Sequence, residues 1–152
     1  MEHFRNKIEQ HAKTIEEMGL SPVPARVYIY LLFSDPPGAT FEEMVNYFGI
    51  SKSAISNALK MLQTVGMIDS RTFSGKRRRY FYVNFERTFN QQFMTSRFMK
   101  MKQMLDDIRA VRNKDDGFSK DMEHASLLYK MLLVELPIVL ERWERTIKLE
   151  DT

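Results

Sequence analysis

The chain has 152 residues, of which 43% are hydrophobic, and its 23 Lys and Arg residues slightly outnumber its 20 Asp and Glu residues. This length and apolar content suffice for an ordinary globular domain. The absence of cysteine excludes disulfides and cysteine-ligated zinc, and it suits a protein of the reducing cytoplasm. Charged residues interrupt every apolar stretch before it reaches the length of a signal peptide or a membrane span, so we expect a cytoplasmic protein without a membrane partner.

The first two predicted elements are helices. In residues 2–19, mostly apolar side chains recur at alternating spacings of four and three residues. This is the pattern of a helix that packs on another helix. These side chains are Phe4, Ile8, His11, Ile15 and Met18. Gly19 ends this helix, and Ser21 can cap a second one that has Pro22 in its first position. We predict that residues 1–20 form part of a dimerisation layer.

Two short helices joined by a tight turn come next. Thr40 and Glu43 form a capping box, in which each side chain satisfies a free backbone N–H group at a helix start. Gly49 suits the left-handed conformation that ends this helix, and Ser51 can cap the next one, which closes at Gly66. This pattern predicts a helix–turn–helix, whose second helix enters the DNA major groove.

A β-hairpin follows the second of these helices. Residues 67–73 form a plausible strand, Ser74 and Gly75 make a turn, and residues 76–83 return with β-favouring aromatic side chains. We interpret the hairpin as the wing of a winged helix–turn–helix DNA-binding domain over residues 21–84. Between residues 21 and 83 there are eight basic and four acidic residues, a net charge of +4, which is the footprint of a nucleic-acid-binding module.

The remaining residues, 85–152, predict two long helices and a mainly α fold. The first helix covers residues 85–113, with one seam formed by Met94, Phe98, Met101, Leu105 and Ile108. The second runs from about residue 119 to 147, is apolar nearly all round, and contains Pro137, which we expect to bend or locally open it. Because few elements of the chain are left to cover so apolar a helix, we predict that residues 85–152 pair with a second copy.

The candidate base-reading residues lie on the second helix of the helix–turn–helix. When Ile55, Ala58 and Leu59 face the core, the polar side chains of this helix point outward. Together with the capping serine, the candidates are Ser51, Lys52, Ser53, Ser56, Asn57 and Lys60. Asn57 can pair bidentately with adenine, Lys60 can reach guanine, and the serines can contact bases or phosphates. The alternative interpretation is an ordinary solvated helix surface.

The wing supplies a run of four cations, Lys76, Arg77, Arg78 and Arg79. Strand alternation places Arg77 and Arg79 on one face and Lys76 and Arg78 on the other. We expect Lys76, Arg77 and Arg78 to lie near phosphates or the minor groove, and Arg79 to lie closer to the helices. A nuclear-import signal is the other interpretation of such a run.

The sequence contains no pattern that predicts catalysis. The three histidines have no metal-ligand spacing, and we find no glycine-rich phosphate loop and no nucleophile motif, so we expect no enzymatic activity, no cofactor and no metal. The eleven methionines are most simply adaptable core and interface residues. A minority interpretation is that some of them, with the phenylalanines of the long helix, line an effector pocket between the DNA-binding and dimerisation layers.

Four segments resemble the GbsR branch of the MarR-type transcription regulators: residues 19–26, 31–38, 40–43 and 50–60, which include a Ser-Asp-Pro-Pro-Gly run and a Ser-Lys-Ser-Ala-Ile-Ser-Asn-Ala-Leu run. The resemblance implies a winged-helix dimer that binds an operator and changes its affinity with a small effector or a stress signal. It is dense from about residue 19 to residue 83.

Our hypothesis is therefore a homodimeric, sequence-specific DNA-binding transcription regulator, more specifically a repressor of a small-molecule or stress-responsive operon. Two-fold symmetry predicts double-stranded DNA with an inverted repeat, whose half-sites lie about one helical turn, roughly 34 Å, apart. A small-molecule effector is a possible further partner. The alternatives are a winged-helix protein-interaction subunit and a nonspecific architectural DNA binder.

Overall fold

The structure, a computed structural model, describes residues 1–75 and 77–150. It divides into an N-terminal unit, residues 1–88, and a C-terminal unit, residues 89–152. After a 3₁₀ turn at Glu2–Phe4, the elements of the N-terminal unit are α1 Arg5–Glu17, α2 Pro22–Leu32, β1 Ala39–Thr40, α3 Phe41–Phe48, α4 Lys52–Thr64, β2 Ile68–Thr72, β3 Arg79–Val83 and α5 Phe85–Thr88. Those of the C-terminal unit are α6 Gln91–Arg112 and α7 Gly117–Glu150.

The N-terminal unit has a continuous apolar core. It includes residues of α1, α2 and α4, whose fully buried large side chains are Ile8, Val27, Ile55 and Leu62. A partly buried ion pair, with 2.8 Å between Arg26 Nε and Glu9 Oε2, also joins α1 to α2. The first helix is thus part of this core, and its predicted role in dimerisation stays a prediction. Ser21 does stand at the start of α2, but its hydroxyl makes no capping hydrogen bond.

The sheet has three antiparallel strands in the order β1-β3-β2. The predicted hairpin is confirmed, with Ile68 opposite Val83 and Thr72 opposite Arg79. β1 was not predicted, because it is only two residues long and its partners Tyr80 and Phe81 are distant in the chain. The result is the mainly helical winged-helix fold expected from the sequence.

The helix predicted over residues 85–113 is interrupted, and this prediction was wrong. The side-chain oxygen of Asn84 accepts a hydrogen bond from the N–H of Arg87, and that of Asn90 accepts one from the N–H of Phe93. The Thr88 hydroxyl also donates to the carbonyl of Gly66. Asparagine competes effectively for backbone groups at helix starts, so the segment forms a short helix and then a separate long one.

The last helix, α7, is longer than predicted and is helical throughout, including at Pro137. Pro137 leaves the carbonyl of Leu133 without its usual helical N–H donor but does not end the helix, and the predicted bend or local opening stays a prediction. Within the described residues, no helix combines the length and the apolar character needed to cross a bilayer.

The turn before β1 depends on a close backbone approach at Gly38. Its φ is +104°, and a Cβ atom built at this position would lie 2.1 Å from the backbone oxygen of Phe81 and 2.9 Å from the carbonyl carbon. A side chain here would therefore collide with backbone that cannot move without disturbing the pairing of Ala39 with Phe81. Gly19 has the same φ of +104° but open space around its Cβ position.

We expect Gly38→Ala to lower the free energy of unfolding by about 3 kcal/mol or more, because it adds a backbone clash to an unfavourable φ. The matched variant Gly19→Ala should cost only about 1–2 kcal/mol, since it meets the same backbone strain without a clash. Equilibrium urea denaturation of the full chain measures both. Equal losses for the two variants would contradict the role assigned to the Gly38–Phe81 approach.

Candidate nucleic-acid interface

The capping box at the start of α3 forms as predicted. The carboxylate of Glu43 accepts hydrogen bonds from the backbone N–H of Thr40 at 2.6 Å and from its hydroxyl at 2.8 Å. The Thr40 hydroxyl in turn accepts from the N–H of Glu43 at 3.3 Å. Gly49 ends α3 in the left-handed conformation, with φ +62°. These local interactions set the length of α3 and the turn that leads to α4.

An arginine near the N-terminus of the chain holds the far end of α3. The guanidinium of Arg5 lies over the Tyr47 ring, 4.5 Å from its centroid, and donates to the Tyr47 carbonyl oxygen at 3.3 Å. Burial is the main factor that raises the pKa of the Tyr47 phenol, and Arg5 partly offsets it. The Tyr47 ring also packs against Tyr30 and Phe48. Interactions at both ends therefore stabilise α3: the capping box at its start and the contacts of Arg5 with Tyr47 near its end.

The second helix, α4, is oriented by its cap and by its buried face. The Ser51 hydroxyl accepts a hydrogen bond from the N–H of Ala54 at 3.2 Å, as predicted, and lies 3.1 Å from the Ser53 hydroxyl. The inward side chains are all buried in the core of the N-terminal unit: Ile55, Ala58, Leu59 and Leu62. Burial of one face therefore determines which residues of α4 point to solvent.

The outward row of α4 contains the predicted candidates Lys52, Ser53, Ser56, Asn57 and Lys60, and all of them are exposed. Their spacing places them on one continuous stripe of the helix. Apart from the Ser51–Ser53 contact, no side-chain hydrogen bond or ion pair within the described residues engages these groups. The stripe presents hydroxyl, amide and ammonium groups, which are the kinds of group that read base edges and phosphates.

The wing carries exposed arginines at the start of its returning strand. Arg77, Arg78 and Arg79 are exposed, and their side chains form no hydrogen bond or ion pair within the described part of the chain. Arg79 lies two residues before the buried Phe81 and therefore on the same, inner face of β3. The predicted cation Lys76 lies outside the described residues.

The opposite, outer face of the hairpin carries a cation that the sequence analysis missed. Arg71 lies over the Tyr82 ring at 4.7 Å and over the exposed Phe73 ring at 5.4 Å, and donates to the Pro37 carbonyl oxygen at 3.4 Å. Phe73 also makes an edge contact with Tyr80. The alternation of Arg71 with Phe73 from β2 towards the turn is a signal that could have revealed this stacked face.

A cleft between the wing and α3 was also missed. It has a volume of about 730 Å³, and its lining comes from β3 and the residues before it on one side and from β1 and the first part of α3 on the other: Thr40, Phe41, Glu42, Glu43, Asn46, Arg77, Arg78, Arg79 and Phe81. No three His, Asp or Glu side chains in the described ranges lie close enough together to hold a metal ion. The cleft exists because β1 pairs with β3, a contact that no local pattern predicts.

Comparisons with known proteins agree with this fold. Residues 15–86 match the family described as "Sugar-specific transcriptional regulator TrmB". A solved structure described as a transcriptional regulator is 21% identical, with a TM-score of 0.80 over 94% of this chain and 99% of that chain. At this identity the likeness establishes the fold alone. No match to curated protein sequences reaches significance.

More distant similarity is found to the Staphylococcus aureus regulator MepR. A MepR mutant bound to an oligodeoxyribonucleotide is 20% identical over 86% of this chain and 91% of that chain, with a TM-score of 0.46. The MepR–DNA complex is 18% identical over 86% of this chain and 92% of that chain, with a TM-score of 0.43. Both scores are too low to support an argument.

The class that the fold and the family match indicate is a winged-helix, DNA-binding transcription regulator. The family match spans all of the helix–turn–helix and the wing, from the end of α1 into α5. The GbsR-like branch is not confirmed by these comparisons and stays a prediction.

Proposed function

We propose that the chain is a homodimeric, sequence-specific transcription regulator, in which α4 of each subunit enters the major groove of DNA. The observation that carries this proposal is the outward stripe of α4, whose polar groups are exposed and almost entirely unengaged within the described residues, while the opposite face is locked into the core. On this proposal Asn57 and Lys60 contact base edges, and Ser51, Lys52, Ser53 and Ser56 contact phosphates or bases. Arg77 and Arg78 then reach the flanking backbone or minor groove.

The case for a homodimer rests on the C-terminal unit. Of its described apolar residues, only Met122 and Leu140 are buried, although α7 extends over about 51 Å at 1.5 Å per residue. Two helices with so small a core are not expected to be stable alone. Ion pairs such as Arg109–Glu123, with 2.8 Å between their nitrogen and oxygen, are exposed and contribute little.

The exposed apolar side chains of α7 form a stripe away from its buried side. They recur at spacings of four, three and four: Leu127, Met131, Val134 and Ile138. The exposed fractions of Met131 and Val134 are 56% and 60%. Such a heptad-like stripe suits a partner helix, and a second copy of the chain supplies one with the same pattern. Dimerisation would cover the stripe and give the operator its two-fold symmetry.

We further infer that the protein acts as a repressor of a small-molecule or stress-responsive operon, in the manner of the GbsR-like regulators that residues 19–83 resemble. The operator would then be an inverted repeat with half-sites about one helical turn, roughly 34 Å, apart.

Selection from a random-sequence DNA pool at near-physiological salt tests the proposal. The purified full chain should enrich an inverted repeat. Enrichment of DNA without a motif would overturn sequence specificity, and the absence of any enrichment would overturn DNA binding.

We expect Asn57→Ala to weaken binding to the selected operator by about 1–3 kcal/mol and to relax the preference at one base pair of each half-site, because it removes a bidentate amide. Repeating the selection with the variant reads the second effect directly. Asn6→Ala, which truncates an exposed asparagine of α1, is the matched control and should leave the motif unchanged. An intact preference in Asn57→Ala would remove Asn57 from the base contacts.

Arg78→Ala should weaken binding to operator and random DNA alike and reduce the slope of log K against log salt by about 1, because one phosphate contact is lost. Fluorescence anisotropy at several salt concentrations measures the slope. Arg142→Ala removes an exposed arginine of α7 and should not change it. An unchanged slope in Arg78→Ala would place Arg78 away from the DNA.

Val134→Glu should convert the dimer to monomers, because it places a charge in the centre of the apolar stripe of α7. Sedimentation equilibrium measures the mass, and circular dichroism reports whether helix content is retained. Ser74→Glu adds the same charge to the exposed wing turn and should remain dimeric. A Val134→Glu variant that keeps the wild-type dimer mass would show that this stripe is not the interface.

A further inference from the structure

An exposed aromatic ring lies near the tip of the wing. Phe73 directly follows Thr72, the last residue of β2, and directly precedes the turn at Ser74 and Gly75. It is 39% exposed and lies outside the apolar core cluster of the N-terminal unit. The ring therefore contributes little to the core, and removing its apolar surface from water against a partner would be favourable.

Two contacts on the outer face of the hairpin hold this ring. The guanidinium of Arg71 lies over it, 5.4 Å from its centroid, and the Tyr80 ring makes an edge contact with 5.7 Å between the centroids. Arg71 is itself held, because it also lies over Tyr82 and donates to the Pro37 carbonyl oxygen. A ring supported in this way loses little conformational entropy when it binds a partner.

The segment around the ring is cationic. Between Asp69 and Glu86 the chain contains five basic residues and no acidic residue. Arg77 and Arg78, which come shortly after the wing turn, are exposed, and their side chains form no hydrogen bond or ion pair within the described residues. A partner that suits this surface carries many negative charges and also offers flat apolar surface to Phe73.

The minor groove of double-stranded DNA offers both features. Phosphates border the groove, and the faces of the bases become accessible where two neighbouring base pairs separate. Apolar side chains, phenylalanine among them, act as wedges between base pairs in proteins that bind this groove, and they kink the duplex. Phosphate contacts alone would leave the ring of Phe73 in water, since phosphate has no apolar surface.

We propose that Phe73 inserts from the minor groove between two base pairs beside each half-site, while Arg77 and Arg78 bind the adjoining phosphates. The insertion rests on the proposed function, since it requires the wing to lie on DNA. It kinks the operator and adds a sequence preference that does not depend on hydrogen bonds to bases. Pyrimidine–purine steps such as TA and CA unstack most easily, so the inserted step is of this kind.

Two fluorescence measurements on the operator enriched from the random pool, saturated with the full chain, test the insertion. Energy transfer between dyes at the two DNA ends should report a bend of about 20° or more at each wing. The adenine analogue 2-aminopurine, placed in turn at each adenine beside the half-sites, should become several-fold brighter at the inserted step, because its emission rises when it is unstacked.

Phe73→Ala should bind the operator about tenfold more weakly, because stacking of a base on the ring is lost. At saturation it should show neither the bend nor the brighter step. Phe73→Leu keeps an apolar wedge and should retain most of both signals. Phe118→Ala is the matched control and should behave like the wild type, since it removes another exposed ring beneath an arginine, Arg112 at 5.0 Å, in the C-terminal unit.

Repeating the pool selection with Phe73→Ala reads the sequence preference. The half-site bases should remain, whereas the preference for a pyrimidine–purine step beside them should be lost. A saturated operator without bend or brighter step, or a Phe73→Ala variant with both signals of the wild type, would overturn the insertion and leave the proposed function intact. Failure of the full chain to bind any DNA would overturn both.

Discussion

The backbone pairing of Ala39 with Phe81 is the contact on which the arrangement of the N-terminal unit depends. It joins β1, at the start of the helix–turn–helix, to β3, which begins at Arg79 directly after Arg77 and Arg78. Only glycine at position 38 permits this approach, because a Cβ atom would occupy the space of the Phe81 carbonyl. With the pairing in place, the wing lies beside α3, and the exposed arginines and the exposed carboxylate of Glu42 share one cleft.

In the proposed DNA complex, stability and recognition are separated on the two faces of α4. Its inner face contributes to the core, and full burial of a side chain such as Ile55 or Leu62 is worth about 1.5–3 kcal/mol. The outer stripe is exposed and contributes little to the stability of the fold. In the proposed complex, contacts with DNA rather than packing therefore determine which residues suit these positions. A rigid helix also loses little conformational entropy on binding, which favours precise placement of short side chains such as Asn57.

The C-terminal unit couples folding to association in the proposed dimer. A helical pair with two buried apolar residues in its described part gains most of its apolar burial from a partner, so its stability would depend on protein concentration. DNA affinity would thus respond to subunit concentration through the apolar stripe of α7.

The helix–turn–helix, its caps and the outward stripe of α4 could be predicted from the sequence because each depends on residues a few positions apart. The capping of α3 by Thr40 and Glu43 and the end at Gly49 are examples. The prediction of one long helix over residues 85–113 was wrong because it followed the spacing of the apolar residues. In the structure, Asn84 and Asn90 cap two separate helices in this segment. Tertiary structure alone decided the third strand, the contacts of Arg71 with Tyr82 and Pro37, and the cleft, since these bring together residues that are distant in the chain.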